Sequence, residues 1–96
     1  MPESQGVVTG THNSHTVRFY GLSTCVWCKK TRQLLEDEGV SFEFAYVDLL
    51  TGEEKESVRE IVRKWNPRES FPTIVIDDEQ CVVGFRPDDI KGALGL

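Results

Sequence analysis

Long apolar runs are missing from this sequence: no stretch approaches the roughly 20 residues a helix needs to cross a bilayer, and Met1 to His15 lacks the charged and apolar blocks of a secretory signal. A cytoplasmic location is therefore expected. Basic residues are in the minority, with eleven Lys and Arg against sixteen Asp and Glu and a formal charge of -5, so neither nucleic acid nor an anionic membrane is the expected partner. Cysteine is sparse. Three in 96 residues is a small, odd set, unlike the even, dense frameworks with which secreted mini-proteins staple a weak core. In a reducing compartment a close cysteine pair points instead to catalysis or metal binding. Internal repeats and low-complexity blocks are absent too, and 39% hydrophobic content in 96 residues allows one modest core.

What is present is a regular succession of short patterns. Residues 1–15, polar and without a period, read as a flexible N-terminal arm, in which His12 and His15 are expected to be solvated rather than to ligate metal. Thr16 to Tyr20 puts Val17 and Phe19 on one face of a first strand, and the chain turns through Gly21 to Thr24. A helix follows over about Cys25 to Glu38, with Ser23 or Thr24 as N-cap, Val26, Leu34 and Leu35 available to face a core, and Gly39 as the C-terminal cap. Val40 to Asp48 alternates Phe42, Phe44 and Tyr46 against Ser41, Glu43 and Ala45, the pattern of a second strand.

Thr51-Gly52-Glu53-Glu54 has the form of a capping box and leads into Val58, Ile61, Val62 and Trp65 at helical spacing, with Asn66-Pro67 as the stop. Trp65 completes that stripe and is expected as a core or helix-edge aromatic rather than a functional one. Pro72 to Ile76 and Cys81 to Phe85 read as two strands joined across the short link at residues 77–80, and Pro87 and Gly95 bracket a last helix. The short link demands an antiparallel pair, whereas strand–helix–strand units join parallel neighbours. The expected architecture is α/β, in the order βαβαββα: a mixed four-stranded sheet flanked by helices, with residues 16–96 as the domain.

The chemistry lies in Cys25-Val26-Trp27-Cys28. After a strand and at the opening of a helix, unpaired amides and the helix dipole favour a thiolate over a thiol, and only the thiolate attacks a disulfide. Cys25 occupies that position, and Lys29 and Lys30 add to the same field. Cys28, one turn further in, is placed to attack a mixed disulfide at Cys25 and release the reduced substrate. Trp27 is too large and flat to hide in so short a turn and offers a packing surface. A zinc site would need two further ligands at matching spacing, and no second pair exists. Cys81, in a predicted strand, reads as a small buried hydrophobe.

Phe19-Tyr20 leading into Cys25-Val26-Trp27-Cys28, then Ser70-Phe71-Pro72-Thr73 before a strand, then Val83-Gly84-Phe85 before the last helix, together resemble the glutaredoxin family of the thioredoxin fold, over about residues 16–96. The resemblance implies a cis Phe71-Pro72 bond beside the cysteines, leaving the Phe71 backbone free to pair with an extended thiol peptide. It also implies a dithiol thiol–disulfide oxidoreductase, acting in electron transport and cell redox homeostasis on disulfide-containing proteins or small thiols. Cys25 and Cys28 would be catalytic, and Trp27, Arg68, Phe71, Pro72, Gly84, Phe85 and Asp88 would contact substrate.

Some positions depart from the glutathione-using members: Leu22 stands where those often carry lysine, and Gly84-Phe85 where they have two glycines. Asp88, with Asp89, is either the acidic pair that holds the amino end of glutathione or a helix-start acid favoured by the dipole. Arg68 is either a partner for a glutathione carboxylate or a solvated loop charge. Gly84-Phe85-Arg86-Pro87-Asp88 resembles instead the glutaredoxin-like electron donors of ribonucleotide reductase, which take electrons from thioredoxin reductase. Glutathione or thioredoxin reductase is thus the expected electron source, with no tightly bound cofactor or metal and a monomeric chain. The alternatives are an iron–sulfur cluster carrier of the glutaredoxin type and a zinc-binding interaction module.

Overall fold

In the computed structural model, which describes residues 4–96, the chain order is β1 (Gln5–Val8), β2 (Val17–Gly21), α1 (Val26–Asp37), β3 (Phe42–Tyr46), a 3-10 turn (Val47–Leu49), α2 (Gly52–Trp65), β4 (Thr73–Ile76), β5 (Gln80–Val83) and α3 (Pro87–Leu94). The strands form one sheet in the order β1-β3-β2-β4-β5. The crossover through α1 makes β2 and β3 parallel, in the register Phe19 to Phe44. β4 runs antiparallel to β2 with Ile74 opposite Phe19, and β5 antiparallel to β4 with Cys81 opposite Val75.

Alternation along the strands sends residues to two cores. Val17, Phe19, Phe42, Phe44, Ile74 and Ile76 pack on one face with Cys28 and Leu35 of α1 and Ile90 and Leu94 of α3. Tyr20, Ala45 and Val75 pack on the other with Val62 of α2, and the partly buried Val58 and Trp65 of the same helix lie against its edge, whereas Val26 of α1, expected to face a core, is 60% exposed because it falls on the outer side of the first turn. The last helix ends as expected at Gly95, whose φ of 74° gives the left-handed cap. The β4–β5 connection takes left-handed φ at Asp77 and Asp78 (56° and 52°), which aspartate tolerates better than most residues.

Among the described residues the sheet has five strands, not four. β1 pairs antiparallel with β3, Gly6 opposite Phe44, and the Tyr46 amide donates to the Ser4 carbonyl at 2.7 Å. The expected flexible arm is therefore corrected over residues 4–15; Met1 to Glu3 lie outside the described residues. The rest of the arm is pinned as well. The His12 amide donates to the Gly39 carbonyl at 2.9 Å, and Gly10 lies so close to that carbonyl that an added Cβ would approach it to 2.1 Å.

Nor are the two histidines loose: a His12 ring nitrogen donates to the Leu94 carbonyl at 3.2 Å, and His15 Nδ1 bonds Asp77 Oδ2 at 2.7 Å. Two boundary expectations also change. Thr51 makes no side-chain cap bond, so the capping box does not close, and the second strand stops at Tyr46 because Val47–Leu49 tightens into the 3-10 turn.

Leu35 is 1% exposed at the centre of the larger core. Leu35→Ala is expected to cost about 2 to 5 kcal/mol. In urea unfolding the midpoint should fall while the slope stays unchanged.

Candidate active site

The strand β2 delivers the chain to a turn in which the Cys25 amide donates to the Leu22 carbonyl at 3.2 Å, and α1 begins immediately afterwards. Cys25 itself is the N-cap, with φ -85° and ψ 119°. Its Sγ accepts the Cys28 amide at 3.2 Å, the bond that a serine or threonine oxygen usually provides, so the cap expected of Ser23 or Thr24 falls to the cysteine. Ser23 is engaged elsewhere: its amide and hydroxyl donate to the two carboxylate oxygens of Asp48, at 2.9 and 2.5 Å. The two cysteines differ sharply in access. Cys25 is partly exposed, whereas Cys28 is fully buried in the larger core.

Beside the pair, Phe71-Pro72 is cis. Trp27, Phe71, Pro72, Gly84 and Phe85 line a cleft of about 240 Å³. Gly84, at φ 89°, ties β5 to this wall by donating its amide to the Pro72 carbonyl at 2.9 Å. Trp27 is 54% exposed and stacks on Phe85, with centroids 5.8 Å apart and planes inclined by 25°. Lys30 Nζ lies 4.8 Å from the Trp27 ring centre.

Arg68 and Asp88 are not brought to this cleft. Arg68 is exposed, with its amide donating to Asn66 Oδ1 at 3.2 Å. Asp88 is exposed in the first turn of α3 and lines a separate open groove of about 620 Å³, together with Cys81, Val83 and Arg86.

Two residues escaped sequence reasoning. Asn66, expected only to stop a helix, is buried and donates through Nδ2 to the Ser70 carbonyl at 2.9 Å, Ser70 Oγ at 3.0 Å and Thr73 Oγ1 at 3.1 Å, ordering the loop that leads to Pro72. The other is Asp48, whose grip on Ser23 joins residues 25 apart in sequence. An Asn-Pro pair before a Ser-x-Pro segment is a faint signal for the first, and no local pattern announces the second.

The sequence model of glutaredoxin matches residues 17–82, which takes in the cysteine pair, the cis proline, β2, β3, β4 and all but the last residue of β5. The chain belongs to the glutaredoxin family. It is similar to the glutaredoxin of Methanosarcina mazei Go1, whose crystal structure is 49% identical, covers 98% of this chain and 90% of its own, and superposes with a TM-score of 0.91. Glutaredoxin 1 of Rickettsia prowazekii (strain Madrid E) is 36% identical over 64 residues, 67% of this chain and 64% of its own length. This glutaredoxin therefore matches under two thirds of the length of such curated relatives, 60% in the case of the Rickettsia conorii protein. NrdH-redoxin from Escherichia coli, a glutaredoxin-like protein with a thioredoxin-like activity profile, is 26% identical and covers 80% of this chain and 92% of its own, with a TM-score of 0.65.

Glutaredoxins are thiol–disulfide oxidoreductases, and the geometry here separates the two thiols. Burial first, and then its hydrogen bond to Cys25, pushes the Cys28 thiol from 9.0 up to about 12; a backbone hydrogen bond from Leu22 pulls the other way, and the charge of Asp48 adds to the rise. Cys28 thus stays a thiol at neutral pH. Burial also raises Cys81. Iodoacetamide near neutral pH should modify Cys25 first, Cys81 slowly and Cys28 not at all, as read by peptide mass mapping.

The unfolded Cys28 thiol ionises near 9.0 and the folded one only near about 12, so between those values the folded state holds the extra proton. The stability this contributes is complete below the unfolded value and is lost as pH rises through the interval. Urea midpoints of the reduced protein should therefore fall above about pH 9, and less steeply in Cys28→Ser.

Proposed function

We propose that this chain is a dithiol oxidoreductase that reduces protein or low-molecular-weight disulfides, with Cys25 as attacking thiolate and Cys28 as resolving thiol. The observation that carries the reading is the cap itself: one partly exposed sulfur receives the amide of the other cysteine, whose own sulfur is buried behind it. The Cys25 thiolate attacks one sulfur of the substrate disulfide, forming a mixed disulfide and expelling the first substrate thiolate. Cys28 then gives up its proton and attacks Cys25 Sγ, expelling the second. Two electrons have moved to the substrate, and the protein is left with a Cys25–Cys28 disulfide.

The apolar cleft beside the pair, walled by Trp27, Phe71, Pro72, Gly84 and Phe85, is the docking surface for the substrate arm, with the Phe71 backbone offered to an extended peptide. An external donor must restore the dithiol. The charged residues that would grip glutathione, Arg68 and Asp88, stand outside the cleft, which favours a protein reductase of the thioredoxin reductase kind, with glutathione as the competing donor. The working form is a cytoplasmic monomer.

Cys25→Ser should abolish disulfide turnover, and Cys28→Ser should accumulate a mixed disulfide on Cys25, visible as a mass adduct. Retained turnover in the Cys25 variant would overturn the assignment. Supplying wild-type protein with thioredoxin reductase or with glutathione and its reductase decides the donor: faster turnover is expected with the former. Visible absorbance with stoichiometric iron after anaerobic purification would turn the reading toward a cluster carrier.

A further inference from the structure

Behind the cleft wall, Asn66 commits its side chain and its carbonyl to one short loop. The carbonyl accepts the Glu69 amide at 2.9 Å and Oδ1 accepts the Arg68 amide at 3.2 Å. Nδ2 donates to the Ser70 carbonyl at 2.9 Å, to Ser70 Oγ at 3.0 Å and to Thr73 Oγ1 at 3.1 Å. Thr73, wholly buried at the start of β4, donates its hydroxyl to the same Ser70 carbonyl at 2.8 Å. That carbonyl therefore has both lone pairs engaged, by two side chains that are themselves buried. From the outer side Arg59 of α2 holds Glu69, Nε to Oε1 at 3.2 Å, where the backbone takes a left-handed φ of 50°.

A fixed carbonyl fixes the amide that follows it. The Ser70-Phe71 peptide bond is trans, and in a planar trans unit the C=O and the next N–H point in opposite directions. With the Ser70 oxygen turned inward to Asn66 and Thr73, the Phe71 amide is turned away from them. Among the described residues neither the amide nor the carbonyl of Phe71 has a hydrogen-bond partner, and Phe71 lines the cleft beside the cysteine pair.

We propose that Asn66 and Thr73 are positioning residues for substrate docking: together they hold the Ser70-Phe71 peptide plane so that the Phe71 amide meets a carbonyl of the incoming peptide. The assignment rests on the docking role proposed above for the Phe71 backbone, and it separates two kinds of substrate. A disulfide within an extended peptide has backbone carbonyls for the amide to meet, whereas a disulfide without any carbonyl docks on the apolar walls alone. Loosening the plane takes a hydrogen bond from the first and nothing from the second.

The test follows oxidation of the pre-reduced full chain by excess disulfide, which needs no external electron donor. Free thiols are counted by mass after acid quench and maleimide labelling, and rate constants are compared for two disulfides. One is the dimer of a capped, uncharged pentapeptide with a central cysteine among alanines; the other is hydroxyethyl disulfide, which has no carbonyl. Thr73→Val keeps the shape and deletes the hydroxyl, so the ratio of peptide to small-disulfide rate constants should fall about fivefold, as for loss of one hydrogen bond. Asn66→Asp keeps Oδ1 for the Arg68 amide and removes the donor to Ser70, and the ratio should fall at least as far. Thr73→Ser, which retains the hydroxyl, should restore the parent ratio, and the two Thr73 variants decide the question even if Asn66→Asp does not fold. Equal losses with the two disulfides would mark a role in stability alone and overturn the proposal, as would an unchanged ratio. A parent chain oxidised by neither disulfide would instead overturn the dithiol reading, and this assignment with it.

Discussion

At the opening of α1 one sulfur atom answers two demands at once. A helix start needs an acceptor for its unpaired amides, and thiol–disulfide exchange needs a nucleophile whose negative charge is stabilised. The hydrogen bond from the Cys28 amide to Cys25 Sγ meets the first, and in the proposed reaction the same bond would serve the second. An oxygen cap at Thr24 would have satisfied the helix while leaving the sulfur without its donor. The bond also fixes the spacing of the pair, because the cap and the third helical residue lie on the same side of the first turn. Everything nearby is arranged around this constraint: the buried wall that takes in Cys28, the Leu22 turn behind it, and the cis Phe71-Pro72 bond beside it.

The sheet makes that arrangement rigid. Phe19 packs edge-on to both Phe42 and Tyr46, with ring planes inclined by 71° and 84°. These contacts hold β2, which carries the cysteines, against β3, which carries Asp48. On the far side β4 carries Pro72 at its approach and the Gly84 amide returns to the Pro72 carbonyl. Three neighbouring strands thus each contribute one part of the same end of the molecule, and none could shift by a residue without exchanging the side chains it sends to the two cores.

Much of this was legible in the sequence because burial writes a period. Phe42, Phe44 and Tyr46 alternate since only one face of β3 meets α1 and α3, and Val58, Val62 and Trp65 recur at helical spacing since one stripe of α2 meets the sheet. The cysteine pair was legible for the same local reason: two thiols one turn apart after a strand have few other uses. What stayed hidden was held by backbone or by single polar contacts. β1 is an edge strand with Gly6 in it and alternate residues exposed, so its pairing is specified by main-chain hydrogen bonds that leave no mark on composition. Asn66 and Asp48 act through long-range hydrogen bonds from ordinary-looking polar positions, and the placement of Arg68 and Asp88 depends on which way two loops run.

The short first strand has a consequence for how copies of this molecule meet. Without it, β3 would form the sheet margin, a flat run carrying Phe42, Phe44 and Tyr46 with a free row of amides and carbonyls, which is a template for joining strands from other chains. With β1 in place that row is occupied. The margin becomes four residues long and is interrupted by a glycine, a poor seed for edge-to-edge growth. Residues that looked like an idle tail thus guard the aromatic strand against aggregation.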